Sequence, residues 1–118
     1  MKVVEFTTVY GITYIGKKVD KADKDINVLY LEDVMMVSMK PVKVDTGYNM
    51  VPALDIINVF SEASEFSFYY SDIVYMGNVE RENFLNMYND TVKMYKDAKV
   101  KHGNMNIDQV NTDVSIQK

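Results

Sequence analysis

INVLYLEDVMMVSM, the stretch from Ile26 to Met39, decides how the rest of the chain is read. Its β-branched and apolar content, with Pro41 two residues beyond, favours an extended strand over a helix. The acidic pair Glu32-Asp33 interrupts the apolar run and predicts a bend, which would let one sheet curl over on itself.

Toward the N-terminus, Lys2 to Tyr10 mixes β-branched and aromatic residues and ends at Gly11, a residue suited to the positive φ of a tight turn. With Ile12 to Val19 as the second arm, this predicts a hairpin. Gly16 inside that arm points to a bulge or to close approach by another backbone. Asp20 to Asp25 alternates both signs of charge and is expected to be a solvated loop.

Toward the C-terminus, Asp45-Thr46-Gly47 is a turn signal, and Pro52 belongs at the start or edge of a strand. Ala53 to Phe60, Phe66 to Tyr70 and Ile73 to Met76 complete the strand candidates, with Phe66, Phe68 and Tyr70 on one face. From Asn78, a candidate N-cap, Phe84, Met87, Tyr88, Thr91, Val92 and Tyr95 recur at three- and four-residue steps. That stripe predicts one amphipathic helix, stopped near Gly103. The expected architecture is mainly β: a small five-stranded open barrel over 1–78, a C-terminal helix over 79–103 and a polar tail over 104–118.

The 118 residues suit one domain, and no apolar run approaches the ~20 residues needed to cross a bilayer. The first ten residues hold neither a basic leader nor a long apolar segment, so a cytoplasmic location is expected. With no cysteine there is neither a disulfide framework nor thiolate ligation of a metal. A net charge of -4 and a single arginine, Arg81, argue against readout of duplex DNA.

The residues of common active sites are also missing. His102 is the only histidine and sits at the lysine-rich helix end, and the five glycines are scattered rather than gathered into a phosphate loop. Asp20, Asp23 and Asp25 lack the spacing of a calcium loop. No catalytic residue, metal ligand or cofactor is therefore expected, and the chain is read as a non-enzyme. By contrast FSFYYSDIVYM, Phe66 to Met76, is aromatic, proline-free and carries one charge, so either the barrel covers it or another copy of the chain pairs with it, and pairing is the favoured expectation. Phe66, Phe68, Tyr70, Ile73 and Tyr75 are the candidate residues of that oligomer edge.

Tyr10-Gly11 at the first turn, Ile15-Gly16, Asp23-x-x-Ile26-Asn27, Leu31-Glu32-Asp33 and the closing run Ile73 to Met76 together resemble the Sm-like (LSm) RNA-binding proteins, and among them the small phage-encoded members. The resemblance covers roughly Val3 to Met76. It departs from the family at Tyr69-Tyr70, where an Arg-Gly pair is usual, and in placing the helix after the barrel. It implies a homo-oligomeric ring in which the fourth strand of one subunit pairs with the fifth of the next. It further implies single-stranded RNA as partner, bound through Lys24, Asn27 and Tyr48, in the host cytoplasm for a phage protein. The rival expectation is a viral assembly or host-interaction module that keeps the barrel without binding RNA.

Overall fold

The computed structural model describes residues 2–57 and 65–101, with side chains as far as residue 98. Six strands form one antiparallel sheet: β1 (Val3–Thr8), β2 (Thr13–Lys18), β3 (Val28–Val44), β4 (Gly47–Ile56), β5 (Glu65–Tyr69) and β6 (Ile73–Asn78). A 3-10 turn at Tyr70–Asp72 joins β5 to β6, and helix α1 spans Glu82–Lys101. The chain divides into two units after Tyr88. The first holds the sheet and the opening turns of α1; in the second, α1 continues with Val92 buried and Thr91 and Tyr95 half-buried.

Strand β3 organises the sheet. Leu31 to Val37 pairs with β2, while Val28–Glu32 pairs with β5 and Met35–Val44 pairs with β4. Both of the latter segments overlap the part that meets β2, and a strand has only two edges. β5 and β4 therefore follow one another along the edge opposite β2. The expected five strands thus become six, because two separate strands share one side of β3. The sheet is not closed: among the described residues β5 pairs only with β3, and β6 only with β1.

The bend in β3 is a β-bulge. Ile15 pairs with Met35 and Lys17 with Glu32, so Asp33 and Val34 together oppose Gly16. Asp33 takes φ +54°, a left-handed conformation that aspartate tolerates better than most residues. A Cβ on Gly16 would lie 3.0 Å from Val34 Cγ2 and 3.4 Å from the Glu32 carbonyl, which is why glycine stands there.

Alternation along the strands gives the sheet two apolar faces. On one, Val4, Phe6, Leu29, Leu31 and Val34 form the main core, joined by Tyr14, Phe66, Phe68, Tyr70 and Ile73. Phe6, Tyr14 and Phe68 meet with ring centroids 4.8–5.5 Å apart. On the other lie buried Val3, Ile15 and Met35.

Two elements run differently from their sequence signals. β3 passes through Pro41 to Val44 because beyond Val37 one of its edges has no neighbour among the described residues, and a proline nitrogen can face that side without losing a bond. Asn78 is not a helix cap: Val79 N–H bonds the Val3 carbonyl at 2.9 Å, so sheet pairing continues past it. The first helical bonds reach the Arg81 carbonyl, from Phe84 and Leu85. Residues 58–64, His102, Gly103 and the expected tail over 104–118 lie outside the described residues.

Candidate functional site

The loop between β2 and β3 and the end of β5 are built into one rim. Tyr69 pairs with Val28 in the ladder, and the next amide, Tyr70 N–H, donates to the Asn27 carbonyl at 2.9 Å. Asn27 N–H in turn donates to Asp25 Oδ1 at 2.9 Å, a local turn that fixes the loop where it enters β3. The side-chain amide of Asn27 is exposed and bonds no described residue. Tyr69, opposite Val28, is exposed, while Tyr70, the residue that meets Asn27, turns inward to the core. A shallow cleft of about 220 Å³ follows this rim, lined by Lys18, Lys24, Asp25, Ile26, Tyr30 and Tyr70 among others.

Electrostatically the rim is nearly balanced. Lys24 lies 3.9 Å from Asp20, and Lys21 is paired with Glu65 while its ammonium sits 5.0 Å from the Tyr30 ring centroid. The Glu65 hydrogen bond holds the Lys21 ammonium above its ordinary pKa. These partners lower the positive potential available to a phosphate backbone.

Of the three residues expected to touch RNA, Lys24 and Asn27 share this rim and Tyr48 does not. Tyr48 pairs with Lys43 near the far end of β3, about 50 Å of strand contour from Val28. Of the candidate edge residues, Phe66, Phe68, Tyr70 and Ile73 direct their side chains to the core, and Tyr75 is exposed. What β5 and β6 offer at their unpaired sides is backbone. Val74, Tyr75 and Met76 are exposed in succession on β6, where a bulge leaves Val74 unpaired against β1.

A second site, on the opposite face of the sheet, had no sequence motif. The Tyr88 ring is fully buried, and its hydroxyl donates to the Asp33 carbonyl at 2.6 Å, a group that the bulge turns out of the ladder. Lys17 Nζ lies 3.4 Å from Asp33 Oδ2 and 5.9 Å from the Tyr88 ring centroid. Burial, with Asp33 and Glu32 nearby, raises the Tyr88 pKa well above that of a free phenol. Beside this clasp runs an apolar groove of about 490 Å³, floored by Ile15, Val37 and Leu54 and walled by Phe84 and Met87. Arg81, Glu5 and Glu80 stand at it, and none of the three makes an ion pair with a described residue. The isolated Arg81 was the one sequence feature that could have drawn attention to it.

These features define a mainly antiparallel β domain with a C-terminal helix, a polar rim and an apolar groove. Compared with known proteins, the chain matches no protein-family model and no curated protein. Among the described residues no helix is long and apolar enough to cross a membrane.

Proposed function

We propose that this is an Sm-like protein, phage-encoded and acting in the host cytoplasm, which assembles as a homo-oligomeric ring and binds single-stranded RNA at the rim around Asn27. The observation that carries the reading is the bond from Tyr70 N–H to the Asn27 carbonyl. It joins two stretches 43 residues apart, Asn27 and Tyr70, the ones the resemblance requires at one RNA-binding rim. The bent β3, the 3-10 turn before β6 and the unpaired sides of β5 and β6 accord with an open barrel that closes through its neighbours.

Without the usual arginine, binding rests on the exposed Asn27 amide, with little help from the paired lysines. Short oligo-U and oligo-A strands titrated at low salt test this. Measurable affinity is expected, reduced about tenfold, or ~1.4 kcal/mol, by Asn27→Ala. No detectable binding at low salt would overturn the RNA assignment.

The replacement of Arg-Gly by Tyr69-Tyr70 also favours a second reading, an assembly or host-interaction module that keeps the ring without RNA. That reading expects a protein partner whose recovery is unaffected by nuclease.

A further inference from the structure

The distal half of the β3–β4 hairpin leaves the sheet as a two-stranded ribbon from Lys40 to Val51, with nearly every side chain exposed. Such a ribbon is marginally stable alone in water, and this one carries Val42, Tyr48, Met50 and Val51 uncovered. Edge pairing is not its use. Met39 opposes Pro52 and Pro41 opposes Met50, two steps apart in a ladder that shows no shift, so the two pairs are of one type. Each proline nitrogen then faces outward, and each free edge of the ribbon lacks a donor. What remains for contact is a face.

That face continues the groove. Val37 and Leu54, on the groove floor, are followed outward on the same side by Met39 and Pro52, then Pro41 and Met50, then Lys43 and Tyr48. One apolar strip therefore runs from the groove to the ribbon tip. The tip carries Lys43 and Asp45, and the groove carries Glu5, Glu80 and Arg81; none of the five is ion-paired among the described residues. Both signs of charge at the tip thus have an opposite at the groove.

We propose that the ribbon of a second copy occupies this groove, and that the contact is reciprocal. A two-fold axis through the middle of the strip, near Met39 and Met50, lays each tip on the other subunit's groove. Tyr48 reaches the apolar floor and Met50 packs on Met39 and Pro52 beside the axis, while Lys43 and Asp45 meet the glutamates and Arg81. Occupying a face, this contact is independent of the strand edges that the ring would use.

The test exploits the absence of cysteine. Full-length chains carrying Tyr48→Cys are mixed with chains carrying Asn78→Cys, an exposed position at the groove, and treated with a short bis-maleimide. A mixed cross-linked dimer is expected at least tenfold above that of Tyr48→Cys with Ser67→Cys, on the exposed side of β5. Adding Met50→Glu to the first pair should return the yield to the control, with the far-ultraviolet spectrum unchanged. Equal yields from the two pairs, or a yield that Met50→Glu leaves intact, would overturn the proposal.

Discussion

The two halves of β3 are one continuous strand and live in different environments. Between Val28 and Val37 it meets β2 on one edge and β5, then β4, on the other, and Leu29, Leu31, Val34 and Met35 are buried. From Ser38 to Val44 it has one neighbour among the described residues, and Met39 and Val42 are about half exposed. Both halves are rich in apolar residues, so composition alone does not say which is core. Packing decides it: the same residue type is buried at one end and left exposed at the other.

The contrast is broken most sharply by paired truncations. Leu31→Ala should cost ~2–5 kcal/mol in urea unfolding at low protein concentration, because it empties a fully buried site. Met50→Ala under the same conditions should stay within ~0.5 kcal/mol. Comparable losses would mean that the ribbon belongs to the core of the single chain.

The bulge at Asp33 and Val34 lies within the first half. Gly16→Ala places a Cβ against Val34, itself buried and unable to withdraw, and should cost ~1–3 kcal/mol by overpacking. A smaller effect is expected from Tyr88→Phe, which removes the buried hydroxyl's hydrogen bond to the Asp33 carbonyl, at ~1–2 kcal/mol. Its pH dependence has a definite sign. The folded Tyr88 pKa lies above the ordinary value of 10.0, so its contribution is complete below pH 10 and declines as pH rises beyond it, where the unfolded chain releases the proton first. Unfolding titrations above pH 10 should therefore fall more steeply for the parent chain than for Tyr88→Phe.

Much of this was legible in the sequence. Gly11 at φ +79°, the Asp45-Thr46 turn, the bend at Glu32-Asp33 and the constraint at Gly16 each follow from local chemistry, and each is found. The apolar stripe of α1 was also readable, since Tyr88 and Val92 fall on its buried line. The start of α1 was not, because Asn78 is held by pairing to β1, a contact far away in sequence. Nor was the continuation of β3 through Pro41, which depends on β2 ending opposite Val37. At the rim, Asn27 and Lys24 could be grouped because they share a loop, whereas Tyr48 could not be separated from them until the length of β3 was known. The groove left no motif, because its walls come from five strands and a helix.

The measurement that bears most directly on the function proposed here is the solution mass of the unmodified chain at high micromolar concentration. A defined closed oligomer of more than two subunits is expected from the ring reading, through the unpaired sides of β5 and β6. A strict monomer at that concentration would contradict it, and the ribbon contact with it.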